Sequence, residues 1–261
     1  MKENTVEPVR LRLTPISKML GVTALVVLSI VAIYVSYKWL DPWVLASLVH
    51  IPQFLIPFLI ICCVTKGRPR EYGFNLKQTP PTFAHKRMAI VGVIFGFFLS
   101  LRYIPQIVGN APLGIPQPVN AVSIAGNMTF QWIIVGLCEE TMFRGMIQTY
   151  LMKNLEGYVK ILGQYLHIGT ILAAIFWGGF HFIEILNMPL GNVIFLVLLT
   201  TAMGLLMGYA YQKTGSLLTT VIVHNTLFGV HLSVGYIIYS LLETSTKPEY
   251  TSRLLIEVSY R

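Results

Sequence analysis

"MTFQWIIVGLCEETMFRGMIQTYL", Met128–Leu151, is an apolar run broken by two adjacent carboxylates and a guanidinium: Glu139, Glu140 and Arg144. A charge at the centre of a membrane span costs about 2.5–3.5 kcal/mol on insertion scales, so charges there are paired or carry out chemistry. Glu140 and Arg144 stand four apart, on one helix face, in the order that favours an ion pair. That accounts for two of the three. Glu139 lies about 100° round the helix, with no partner in its own run. It must find one on another helix or take up a proton.

The rest of the chain has the same apolar character. Of its 261 residues 54% are hydrophobic and only 11% charged, a composition that places it among multi-span membrane proteins. Length and absence of charge mark seven spans: Ile16–Leu40, Trp43–Val64, Met88–Val108, Ala121–Asn154, Ile168–Leu186, Val193–Tyr211 and Leu217–Leu242. The fold class read from this is all-α, a polytopic membrane bundle of about seven transmembrane helices. The organisation expected is a cytoplasmic tail over 1–15, N-terminal spans with a basic loop over 16–120, a second helix bundle over 121–242 and a tail over 243–261. The first apolar run has no small-residue cleavage site and reads as a retained span. Cys62, Cys63 and Cys138 fall in apolar stretches without CxxC spacing, and read as small buried residues.

The net charge of +8 does not point to nucleic acid, because Lys and Arg gather in loops between the spans. Lys2, Arg10, Arg12 and Lys18 precede or open the first span. Lys66, Arg68, Arg70, Lys77, Lys86 and Arg87 lie between the second and third. The positive-inside rule then puts the N-terminus in the cytoplasm and, with seven spans, the C-terminus outside.

Two further polar clusters interrupt the late spans. His181 follows Gly178 and Gly179, which remove side-chain bulk so that another helix or a substrate can approach. His224 and Asn225 open a second cluster, and His231 lies two turns further along the His224 face. Each alone reads as a histidine bonding between helices. Counted at 1.5 Å per residue, however, His181 lies about 20 Å and His224 about 10 Å from the cytoplasmic ends of their spans. Glu139 sits past the middle of its own span, so the three can converge.

Across these motifs the chain resembles the CPBP (Abi) family of intramembrane proteases, which includes the CAAX prenyl endopeptidases, and the resemblance implies a catalytic bundle over 121–242 with its active site in a cavity among the last four helices. "EETMFRG" matches the family's Glu-Glu-x-x-x-Arg motif. "WGGFH" matches Phe-x-x-x-His except that Trp177 replaces Phe. "HNTLF" keeps the His of His-x-x-x-Asn, with Phe228 in place of Asn. The resemblance covers about Ala121–Gly229. It implies that Glu139 activates water and His181 holds that water, that Glu140 and Arg144 fix the helix, and that His224 stabilises the oxyanion. Phe228 cannot donate, so Asn225 is expected as the second oxyanion donor, with His231 next.

Other readings remain open beside this one. Glu139, His181 and His224 are three ligands with an open fourth position, which suits catalytic zinc, although the resemblance implies metal-free water activation with no cofactor. A non-catalytic immunity or scaffold protein of the same fold would explain Phe228. A proton-coupled transporter fits the buried polar groups but not the lack of repeated halves. The expected partners are the bilayer and a peptide or membrane-protein substrate, prenylated in one version.

Overall fold

The computed structural model describes residues 12–75, 80–109, 113–186 and 188–245. Lys2, Arg10, Lys77 and the tail 246–261, which entered the charge argument and the domain reading, lie outside these residues. Seven helices are long and apolar enough to cross a membrane: α1 Leu13–Tyr37, α2 Pro42–Val64, α3 His85–Val108, α4 Ala121–Asn154, α5 Ile168–Leu186, α6 Leu190–Thr214 and α7 Leu217–Glu243. All seven expected spans are present.

Their ends differ from expectation by up to three residues, for local reasons. Pro42 opens α2, and the residue before a proline avoids helical geometry, so α1 stops at Tyr37 and the chain turns through Lys38–Asp41. Polar Gln212, Lys213 and Thr214 continue α6 until Gly215, whose left-handed backbone (φ 61°) ends it. Cys63 departs from the expected burial and lies on an outward-facing surface.

Helices associate in lipid through close packing, which needs small residues at the contact. Helix α3 buries Met88, Gly92, Gly96 and Ser100, one residue per turn on a single stripe, and sets that stripe against α7. A Cβ at Gly96 would lie 2.6 Å from the Leu227 carbonyl oxygen, so only glycine permits this approach. The α5–α6 pair is similar: Gly204 admits Trp177 and Ala174. The main core gathers Met142, Phe143, Ile147 and Leu151 of α4 with Val26, Ile61, Trp177 and Met207. A smaller cluster joins Tyr103 of α3 to Leu232 and Tyr236 of α7.

Between α4 and α5 the chain forms a short antiparallel hairpin, β1 Tyr158–Ile161 and β2 Gln164–His167. Leu162 and Gly163, both at positive φ, make its two-residue turn. His167 then caps α5, its Nδ1 accepting from the Gly169 N–H at 2.9 Å. Polar contacts draw several loops to one end of the bundle. Arg12 meets Glu156 at 3.4 Å and Lys153 meets Glu71 at 3.6 Å. Asn75 Nδ2 donates to the Gly215 carbonyl at 2.7 Å. The start of α1, the α2–α3 loop, the hairpin and the α6–α7 turn therefore share a face. Lys66, Arg68, Arg70, Lys160 and Lys213 belong to it.

Candidate active site

Helix α4 is not a uniform α-helix. Wider π-helical turns at Phe130–Ile134 and Thr141–Gln148 flank the segment Val135–Glu140. Such turns shift the helix register and leave backbone groups outside the regular ladder. Asn225 of α7 meets that need: its Oδ1 accepts from the Gly136 N–H at 2.8 Å, and its Nδ2 donates to the Ile133 carbonyl at 3.1 Å. Gly136 has to be glycine, since a Cβ there would lie 2.3 Å from Asn225 Oδ1. Further along, buried Gln148 donates to Thr170 Oγ1 at 3.0 Å and to the Gly208 carbonyl at 2.8 Å. The α4 backbone is thus pinned to α5, α6 and α7 on both sides of the glutamate pair.

Glu140 and Arg144 are 0% and 1% exposed. Arg144 Nε lies 3.1 Å from Glu140 Oε2, in the ion pair the spacing predicts. The contact is single, not forked, and Nη1 and Nη2 have no hydrogen-bond partner among the described residues. The guanidinium instead lies over the Trp177 ring, 4.4 Å from its centroid, where the ring quadrupole attracts it. The other oxygen of Glu140 has a second task. Oε1 accepts from His224 Nδ1 at 3.0 Å, so Glu140 orients a histidine on α7 as well as bracing its own helix.

Glu139, 8% exposed, finds its partners on other helices, as the sequence required. Trp177 Nε1 of α5 donates to Oε2 at 2.6 Å. His50 Nε2 of α2 faces Oε1 at 3.4 Å. Trp177, which holds Oε2, also neighbours His181 and His224, their ring centroids 5.6 and 5.7 Å from its own.

The three imidazoles share one pattern. His50 Nδ1 contacts the Ala46 carbonyl at 2.7 Å, His181 Nδ1 the Trp177 carbonyl at 2.8 Å, and His224 Nδ1 the Glu140 carboxylate. These oxygens only accept, so each Nδ1 carries the hydrogen and Nε2 is the nitrogen left for chemistry.

Of the residues singled out from the sequence, Glu139, Glu140, Arg144, His181 and His224 come together. Asn225 and His231 are placed differently from expectation. The Asn225 amide bonds the α4 backbone through both Oδ1 and Nδ2. His231 is bonded to Ser100 Oγ and Tyr103 Oη, each at 3.2 Å, within the α3–α7 pairing. Phe228 lies against His224, ring centroids 5.0 Å apart. The site also extends beyond the last four helices, because α2 supplies His50. A histidine inside a charge-free span was the signal for it, the same signal that singled out His181 and His224. Trp177 is the departure from the Phe-x-x-x-His motif, and its N–H, which phenylalanine lacks, is what binds Glu139.

A bound zinc would draw on Glu139, His181 and His224. The Nδ1 bonds of the two histidines suit metal ligation, where the second nitrogen is usually tied down. Yet Glu139 Oε2 is taken by Trp177, and among the described residues no three His, Cys, Asp or Glu side chains are arranged to hold a metal ion. The donor set as arranged does not fit zinc.

Residues 121–228 match the family model described as "Type II CAAX prenyl endopeptidase Rce1-like". The chain carries an Rce1-like segment. That segment holds Glu139, Glu140, Arg144, His181 and His224, and it leaves out α1–α3 with His50. No curated protein and no solved structure matched the chain. The Rce1-like match agrees with the CPBP resemblance and, with seven apolar helices, supports a protease-like integral membrane protein.

Proposed function

We propose that the chain is an intramembrane endopeptidase that hydrolyses a peptide bond with water activated by Glu139. The observation that carries this reading is the Glu139 carboxylate: almost buried, bonded by Trp177, faced by His50, and ringed by three histidines whose Nδ1 atoms are already committed. A nearly buried carboxylate with fixed neighbours, beside histidines with a free nitrogen, suits a general base.

In the proposed reaction Glu139 takes a proton from water while the water oxygen adds to the scissile carbonyl carbon. The carbonyl π electrons move onto oxygen, giving a tetrahedral oxyanion. His181 Nε2, unprotonated when Nδ1–H bonds the Trp177 carbonyl, accepts from the water and orients it. His224 serves the oxyanion. Because its Nδ1–H is given to Glu140, it can donate from Nε2 only when both nitrogens are protonated. When the intermediate collapses, the C–N bond breaks and Glu139 returns its proton to the leaving amine.

The substrate class proposed is a peptide or membrane-protein segment presented in the bilayer, prenylated CAAX tails included. One groove, about 730 Å³, is lined by Arg70, Phe74, Asn75, Leu137, Leu217 and Val221 among others. It shares α4 and α7 with the site, but none of its lining residues is a site residue, so it is not identified as the substrate cleft. The basic face of the bundle supports a cytoplasmic N-terminus by the positive-inside rule.

A second reading, a non-catalytic scaffold or immunity protein, is favoured by Phe228 lying against His224 where the family pattern has Asn. One experiment separates the two. Purified chain in proteoliposomes, offered a quenched farnesylated CAAX peptide and an unprenylated peptide, is compared with Glu139→Gln. Cleavage lost in the variant supports the peptidase. A cellular effect that Glu139→Gln leaves intact would favour the scaffold.

A further inference from the structure

We propose that His50, on α2 and outside the Rce1-like segment, is a positioning residue for Glu139, acting with Trp177 to fix the plane of its carboxylate. The functional meaning rests on the peptidase reading above; the geometry does not.

A glutamate carboxyl turns about its last torsion with little preference, so a buried base with one partner can present its lone pairs in many directions. Here both oxygens have a partner from a different helix. Trp177 Nε1–H of α5 binds Oε2 at 2.6 Å, and His50 Nε2 of α2 faces Oε1 at 3.4 Å. Two contacts on opposite oxygens define the plane. What remains of each oxygen is aimed one way.

The His50 ring is itself held. Its Nδ1–H bonds the Ala46 carbonyl one turn back at 2.7 Å, and Phe130 packs edge-on at 4.9 Å between centroids. Phe130 begins the π-helical turn of α4 that leads toward Glu139. With Nδ1–H spent on a carbonyl, the contact between Nε2 and Oε1 needs one further hydrogen, carried by the imidazole or by the carboxyl. For Glu139 to act as a base that hydrogen sits on the imidazole, so His50 donates from Nε2 to Oε1. Trp177 completes the arrangement through the very position where the chain departs from the Phe-x-x-x-His motif, since phenylalanine has no N–H to give.

A bland role for His50, tying α2 to α4, would affect stability but not turnover by folded protein. The test therefore reads both. Full-length wild type, His50→Ala, His50→Gln, Trp177→Phe and Glu139→Gln are purified in nanodiscs, and their melting is recorded. Cleavage of a quenched farnesylated peptide is measured on the folded fraction. His50→Ala is expected to lower kcat about 10- to 100-fold, the scale of a misaligned catalytic group, with KM within about twofold. His50→Gln, which keeps an N–H donor, should recover most of the loss, and Trp177→Phe should behave like His50→Ala. Unchanged kcat in folded His50→Ala overturns the proposal.

A second arm needs no substrate. In ¹⁵N-histidine spectra, the His50 signal, assigned by its disappearance in His50→Gln, should shift in Glu139→Gln. An unmoved His50 signal overturns the proposal whatever the activity. A moved signal in a chain that cleaves nothing supports the placement of His50 and counts against the peptidase reading alone.

Discussion

Nδ1 of His224 lies 3.0 Å from Oε1 of Glu140, with both side chains almost wholly out of contact with solvent. The second glutamate of the pair thereby links the turn carrying Arg144 to a histidine 84 residues later on another helix. The neighbouring Glu139 is left free of that duty. Adjacent carboxylates with separate partners can divide structure from chemistry, and substitution can tell them apart.

Glu139→Gln should abolish turnover while leaving melting nearly unchanged, because the amide oxygen can still accept from Trp177 Nε1. Removal of a general base typically costs about 100- to 10,000-fold in rate. The comparison needs peptide cleavage and thermal unfolding on the same sample. A variant that unfolds early would point to a structural role for Glu139.

Arg144→Ala strands Glu140, which is 0% exposed, and should destabilise the protein by about 3–5 kcal/mol, the range for breaking a buried pair from one side. Folded yield and activity should fall together. Arg144→Lys should restore part of the yield by returning the charge, but not the flat face set over Trp177. Normal folding of Arg144→Ala would remove the structural role assigned to the pair.

Asn225→Ala removes two bonds to the α4 backbone, at Gly136 and Ile133, and should cost about 1–3 kcal/mol through the polar groups left unpaired. Gly136→Ala should be comparably harmful, since its Cβ would occupy the space of Asn225 Oδ1. Phe228→Asn should preserve or raise turnover by placing an amide beside His224. A loss of kcat in Asn225→Ala with melting unchanged would instead restore Asn225 as an oxyanion donor.

His167 provides a pH signature outside the spans. Burial holds its pKa below the usual 6.5, and its Nδ1 must stay unprotonated to cap α5. A folded-state pKa below the unfolded one means that the unfolded chain binds more protons as pH falls. Stability from this group is therefore complete above about pH 6.5 and declines as pH drops from there toward the lowered value. Melting in detergent from pH 8 to pH 5 should show the decline. His167→Asn, a good cap that does not titrate in this range, should flatten it.

Chelation tests the metal question directly. Phenanthroline should leave cleavage by purified protein mostly intact, and metal analysis should find less than one zinc per chain. Stoichiometric zinc, lost in His181→Ala or His224→Ala, would require Glu139 to exchange its Trp177 bond for the metal.

The spans and the pairing of Glu140 with Arg144 were legible because each depends on neighbours in sequence: apolar length in one case, a four-residue offset in the other. The convergence of Glu139, His181 and His224 followed from rise per residue alone. What could not be read was set by distant parts of the chain. The task of Asn225 lies in the α4 backbone at Gly136 and Ile133, 89 and 92 residues earlier, beside a π-helical turn that no spacing in α7 announces. His50 escaped because a lone histidine in an early span carries no motif, and its importance comes from which helix packs beside it. The hairpin at 158–167 depends on a two-residue turn between strands of four residues, too short to stand out against the long helices around it.

The small-residue stripe on α3 has a bearing on what counts as one unit. Gly92, Gly96 and Ser100 lie outside the recognisable 121–228 segment, yet the helix they receive is α7, which carries His224. Helix α2, also outside, packs along the same stretch of α4 that bears the glutamates. The part of this chain that inheritance has kept legible is thus smaller than the part that must fold together. A protein cut back to the recognisable segment would retain most of the site residues while exposing the seam that holds α7 at the right height. Grafting the three motifs into another bundle would transfer the letters and leave behind the alignment that gives them distance and direction.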